Sequence, residues 1–189
     1  MPSVGPTICG TGADDSGVGT VAWSNPSRVT TEDGTLATAA LAAGETSHYV
    51  TGTNFAGLSA VPDGAAIVGL VGTVKWQRSL GGSITDSSVK VIVAGAVTGA
   101  SKATGAALPE ALTAVAYGGA ADAWGQTLTG ADVKASNFGF AFAATNPGAG
   151  GDTASADAIL ATVYYADPVY RRVIAVDAFA GLIDYLEDL

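Results

Sequence analysis

From Gly17 to Tyr165 the chain repeats one unit: a short β-branched or aromatic run, a Gly, Asn, Asp or Pro turn, then another run. That spacing predicts an all-β domain, because period-two alternation buries one face of each strand and the punctuating residues supply the turns. The clearest run is Ile67 to Arg78, whose parity puts Leu70, Val74 and Trp76 on the core face with Gly72 between them. In Ser87 to Ala94, Val89, Val91 and Val93 point inward while Ser88, Lys90 and Ile92 point outward, and Phe138, Phe140 and Phe142 alternate strictly. Other runs are Val18 to Trp23, Thr35 to Leu41, Ser47 to Thr53, Leu112 to Tyr117 and Ile159 to Tyr165. These make about eight strands, the number typical of a jelly roll. The predicted fold is a jelly-roll-like antiparallel β-sandwich over residues 17–166.

The two ends read differently. Residues 1–16, with Gly5, Pro6, Gly10, Gly12 and the Asp14-Asp15 pair, predict an extended N-terminal arm or leader. They carry no basic n-region and no apolar h-region, so no signal peptide is expected. Residues 167–189 read as a C-terminal arm. Asp167-Pro168 breaks the strand, Val169 to Val176 suits an extended segment, and Asp177 suits the N-cap of a short helix reaching toward Asp188. Phe179, Leu182, Ile183, Leu186 and Leu189 share one face of that helix. Alone it is weak: Gly181 costs roughly 1 kcal/mol relative to Ala, and Glu187 and Asp188 oppose the macrodipole. Two supports are open to it, the chain's own sandwich or a neighbouring subunit with a basic group near Glu187 and Asp188.

Composition narrows the partners. Hydrophobic residues are 48% of the chain, much of this alanine, yet no stretch approaches the ~20 apolar residues of a membrane helix. A soluble protein without a membrane partner is expected. Only 13% of residues are charged, 17 acidic against 8 basic, for a formal net charge of -9. The basic residues Arg28, Lys75, Arg78, Lys90, Lys102 and Lys134 are scattered, and Arg171-Arg172 is the one basic pair, so nucleic acid is not an expected partner. A surface so poor in charge suits packing against neighbours, and a GC-rich genome would give the same composition.

Little in the sequence promises chemistry. A nucleophilic triad would have to use His48, the sole imidazole, which sits in a strand pattern beside Tyr49 and reads better as a surface or interface residue. Clusters of Cys and His suited to zinc are absent. Asp14, Asp15, Asp86, Asp122, Asp132 and Asp152 are the oxygen donors available to a loop calcium ion, but none has EF-hand spacing, and solvated turn aspartates account for them. Glu32, Glu45 and Glu110 lie beside turn signals, where solvated carboxylates are expected, and Gly10-Thr11-Gly12 lacks the strand-to-helix context of a phosphate cradle. No cofactor or metal and no enzymatic activity is expected. Cys9 has no intramolecular disulfide partner and, lying in the N-terminal arm, reads as an interface residue. Of the three tryptophans, Trp76 reads as core. Trp124, in the loop from Gly118 to Gly125, is the candidate for exposure and for a ligand such as a sugar.

Several fragments in order resemble a module of tailed-bacteriophage virion proteins: Val21-Ala22-Trp23-Ser24-Asn25-Pro26, Asp33-Gly34-Thr35-Leu36-Ala37-Thr38-Ala39, Val61-Pro62-Asp63-Gly64-Ala65, Tyr117-Gly118-Gly119 with Asp122-Ala123-Trp124-Gly125, and Ala161-Thr162-Val163-Tyr164-Tyr165. The resemblance covers roughly Gly17 to Tyr165. It implies a non-enzymatic structural protein of the virion, assembled in the host cytoplasm. A capsid decoration or cement protein comes first, bridging subunits of the major capsid protein as a homo-oligomer, with a trimer favoured. The alternative is a tail or fibre module that serves tail assembly or reads host glycans through the Trp124 loop. The bridging contacts are expected in the arms, at Cys9, Arg171, Arg172, Phe179, Leu182, Ile183, Leu186 and Leu189.

Overall fold

The computed structural model describes residues 1–167, and the antiparallel β-sandwich expectation holds. One sheet contains β1 (Ser3–Ile8), β3 (Ala37–Leu41), β5 (Ala66–Arg78), β8 (Thr113–Gly119) and β10 (Asp152–Ala166). The other runs in the order β2 (Thr11–Asp15), β4 (Tyr49–Thr53), β9 (Gly139–Thr145), β6 (Thr85–Val93) and β7 (Ala96–Thr98). Strand β10 is the spine of the first sheet. One of its edges pairs with β5 along its length, and the other is shared by two short strands, β3 opposite Asp152 to Ala156 and β1 opposite Leu160 to Tyr164. Strand β8 closes the far side of β5.

Alternation places the core as expected. Leu70, Val74 and Trp76 of β5 are fully buried and meet Phe138, Phe140 and Phe142, which are buried as completely. Gly72 faces the ring of Phe140, where an added Cβ would lie 2.6 Å from Cδ1. Glycine is therefore the residue that lets β5 approach the aromatic row. Val89 and Val91 point inward as predicted. Ile92, predicted outward, is only 4% exposed, because Tyr49, Ala141 and Ala143 surround it on the outer face and Val18 and Val97 pack over them. The loop after β2 thus builds a second small apolar cluster outside the sandwich.

Three boundaries differ from the sequence reading. Residues 1–16 are not a free arm, since β1 pairs with β10 and β2 with β4, one strand in each sheet. Val18 to Trp23 is not a strand: Val21 and Ser24 make single bridges to Ser47 and Thr38, and a 3-10 turn, Pro26–Val29, follows. The short helix α1 (Gly130–Lys134) was not anticipated; a capping box between Thr129 and Asp132 holds its start. Seven predicted runs are strands, and β1, β2 and β7 add to them. Glycine and proline suggested a loose N-terminus from local evidence, whereas pairing with β10 and β4, both distant in sequence, decided it. The predicted C-terminal helix lies outside the described residues.

Candidate functional site

Cys9 does not face a partner. It is 1% exposed, its backbone N–H donates to Ile159 O at 3.0 Å, and its Sγ lies 3.3 Å from Val29 O. Burial pushes the thiol up to about 12, so the nucleophilic thiolate is scarce at neutral pH. Arg171, Arg172, Phe179, Leu182, Ile183, Leu186 and Leu189 lie outside the described residues.

Trp124 is likewise a core residue rather than an exposed platform. It is 1% exposed, with its ring centroid 5.3 Å from that of Phe140 and its Nε1 donating to Leu70 O at 3.0 Å. The loop reaches this position through a left-handed backbone at Trp124 (φ 58°), stabilised by a 2.9 Å bond from Trp124 N to Asp122 Oδ1. Lys102 crosses above, 5.9 Å from the ring and 2.6 Å from Asp122 Oδ2. The hydrogen bond from Lys102 holds the Asp122 carboxyl below its ordinary range. A buried ring with a satisfied N–H offers no stacking face to a sugar.

The polar residues considered for chemistry are used to fasten loops. His48 Nδ1 lies 2.8 Å from Asp14 Oδ2, while Asp14 Oδ1 accepts Trp23 N and His48 O accepts Trp23 Nε1. This clip anchors the stretch before the Pro26–Val29 turn, and among the described residues no nucleophile hydrogen-bonds to the other imidazole nitrogen. Four basic side chains, Lys75, Arg78, Lys102 and Lys134, are held by Glu32, Glu110, Asp122 and Asp63 respectively. Among the described residues no group of three or more His, Cys, Asp or Glu could hold a metal ion, and no helix is long and apolar enough to cross a membrane.

An open depression of about 330 Å³ lies between Ala40, Leu41, Ala42, Ser79 and Gly151, Asp152, Thr153. Its one carboxylate serves the neighbouring hairpin: Asp152 accepts the backbone N–H of Ser83 at 2.7 Å and of Thr153 at 2.7 Å. Burial works against its charge, but hydrogen bonds from the Ser79 hydroxyl and from the backbone of Thr153, Ser83 and Ile84 outweigh it and hold the carboxyl below its ordinary range. A folded pKa below the unfolded value of about 3.9 stabilises the native state above that pH and loses the contribution as pH falls through the folded value. Asp152→Asn should therefore lose about 1–3 kcal/mol at neutral pH, and its deficit against the parent should shrink below about pH 4. Urea melts at pH 7 and pH 3 check this; an equal deficit at both would exclude the charge as its cause.

Sequence reasoning also missed an internal polar contact. Trp76 Nε1 donates to Tyr117 OH at 3.3 Å, and burial followed by the Asp86 charge raises the Tyr117 hydroxyl well above its ordinary value. Asp86 is 3% exposed; its Oδ2 accepts Thr104 N at 2.9 Å. The Trp76–Tyr117 bond joins β5 to β8, and the bond from Thr104 to Asp86 fastens the 101–107 loop to β6.

The surface that stands apart is a sheet edge. An unpaired edge presents a row of backbone donors and acceptors to any other strand, and proteins usually blunt it with proline, charge, shortness or cover. Edge strand β1 contains Pro6, and β2 carries Asp14 and Asp15 beneath the Pro26–Val29 turn. Strand β7 has three residues, and β3 is covered by Ser24, which exchanges two backbone bonds with Thr38. Strand β8, Thr-Ala-Val-Ala-Tyr-Gly-Gly, has seven residues and neither proline nor charge.

Its orientation follows from β5. Leu70 N donates to Asp122 O and Arg78 N to Pro109 O, both on the β8 side, so the even-numbered residues of β5 turn their backbone groups that way. Their partners on β8, Thr113, Val115 and Tyr117, point back toward β5. Ala114 and Ala116 therefore direct their N–H and C=O outward; both are exposed, and among the described residues no strand lies beyond them. The composition of Thr113 to Gly119 was the available signal, but only the sheet order makes it an edge.

No protein-family model matches the chain, and no curated protein matches it. Among solved structures, a carbohydrate-binding module described as "CBM4 structure and function" is similar, at 16% identity over 69% of this chain and 85% of that one, with a TM-score of 0.37. A likeness of that extent carries no argument about ligand or activity.

Proposed function

We propose that this protein is a non-enzymatic structural component of a tailed-bacteriophage particle, most specifically a capsid decoration protein that strengthens the head by bridging subunits. The observation that carries the structural half of this reading is the contrast between interior and edge. Carboxylates, the imidazole and four of the six described basic side chains tie loops to the sandwich, whereas among the described residues no strand lies beyond the β8 edge. A rigid body with an open backbone edge is suited to joining subunits. The virion assignment rests on the ordered fragments between Val21 and Tyr165. Bridging contacts add their binding free energy to the assembled state, so heat or internal pressure must break them before the shell opens. The glycan-reading alternative has lost the exposed Trp124 ring on which it depended.

The test is to label purified particles from the source with an antibody raised against this chain and view them by electron microscopy. Label distributed over heads supports decoration. Label confined to tails moves the protein to tail structure, and its absence from particles removes the virion reading.

A further inference from the structure

We propose that the β8 edge pairs antiparallel with the β8 edge of a second copy of this chain, Val115 opposite Val115, so that two five-stranded sheets join into one. The inference deepens the reading of the protein as one that joins subunits, by naming a joint between copies. Among the described residues β8 is the strand edge that carries none of the usual devices against pairing. Thr113–Gly119 has neither charge nor proline. Ala114 and Ala116 hold their outward backbone groups beside methyl side chains, and both are exposed. The charge opposite Ala114 on β5, that of Lys75, is already paired with Glu32.

The two faces of β8 supply a second observation. Val74 and Trp76 are core residues of β5, and their partners on β8 are Val115 and Thr113, so the odd-numbered residues of β8 lie on the core face. Tyr117 is buried there, but Val115 is only half-buried although it packs against the core. A second β8 with Val115 opposite itself brings the two isopropyl groups together at a non-hydrogen-bonded position, where Cα atoms approach to about 4.5 Å. Both valines then leave water. In the same register Ala114 of each copy exchanges N–H and C=O bonds with Ala116 of the other, which uses the outward groups of both strands. A joint centred on Ala116 would instead set Ala114 opposite Gly118, where the backbone has turned left-handed (φ 88°) beside the Trp124 indole.

A second copy is also the occupant that costs least to order, because its β8 is already held straight by β5. Each copy offers the same surface, so the contact is isologous and closes at two copies, separate from any contact that builds a trimer. A joint of this length is small and belongs to the weak, transient class. Each chain has a formal net charge of -9, so repulsion opposes the encounter and added salt screens it.

The full-length chain in solution provides the test. Sedimentation velocity at increasing concentration should show a monomer–dimer equilibrium that strengthens with salt. Ala116→Pro should weaken it on the order of tenfold or more, because proline removes a ladder N–H of the joint. Its urea midpoint should stay near that of the parent, since the lost N–H points away from β5 and proline is tolerated on the outer side of an edge strand. Val115→Cys gives a readout that does not depend on the proline variant: mild oxidation should yield a disulfide-linked dimer, with the buried thiol of Cys9 as a silent background. Amide exchange at Ala114 and Ala116 should slow as concentration rises. Protection of those amides that is independent of concentration would show the edge covered within one copy and overturn the proposal. A parent chain that stays monomeric at every concentration would do the same, as would Val115→Cys chains that remain unlinked while the parent dimerises. Particle labelling is independent of these outcomes, so the β8 joint can fail while the virion reading stands, and the reverse.

Discussion

Replacing Phe140 by Ala should destabilise the protein by about 4 kcal/mol, within the range for removing a buried aromatic side chain. Phe140 is fully buried, and its ring meets those of Trp124, Phe138, Phe55 and Phe142 at centroid separations of 5.3, 5.8, 6.2 and 6.4 Å. It also fills the space above Gly72 on the opposite sheet. The loss combines apolar transfer with a cavity that the surrounding rings cannot close, since each is held by other contacts. Against a typical total of about 5–15 kcal/mol the variant would be marginal at room temperature. Chemical denaturation followed by far-UV circular dichroism measures the difference. A loss below about 1 kcal/mol would show that Phe140 is not the packing centre.

Trp124→Ala should cost a similar amount, about 3–5 kcal/mol, and its consequence bears on function. The indole both packs against Phe140 and donates to Leu70 O, so truncation removes apolar contact and leaves a buried carbonyl without its donor. Trp124→Phe separates the two effects. Most of the packing is kept, and the unpaired Leu70 carbonyl should account for about 1–3 kcal/mol. Had Trp124 been an exposed ligand platform, both variants would fold with parental stability and lose only binding. Denaturant midpoints of the two variants distinguish these outcomes without knowledge of any ligand.

The parts of the structure that were legible in the sequence share one property: their signal is local. The parity of Leu70, Val74 and Trp76 and the alternation of Phe138, Phe140 and Phe142 assign faces correctly because neighbouring side chains on a strand point to opposite sides. The misread positions depended on distant partners. Cys9 sits among glycines that suggest a loose arm, yet its N–H pairs with Ile159 O. Trp124 sits in a Gly- and Ala-rich loop that suggests exposure, yet its indole is satisfied by Leu70 on another strand. The same reason hid β1 and β2, whose hydrogen-bond partners lie in β10 and β4. Ile92 was assigned outward correctly but not to solvent, because the Val18 segment folds over that face.

By itself the sequence determined that the domain is an antiparallel β-sandwich and which side chains of its central strands form the core. Only the tertiary structure decided that Thr113–Gly119 lies at an edge of the sheet formed by the described residues, that β1 and β2 are woven into the two sheets, and that Trp124 faces inward. The physical reason is that strand faces are set by side chains, which differ from residue to residue. The lateral order of strands is set through backbone N–H and C=O groups, which are nearly alike at every position and leave no local mark of their partners.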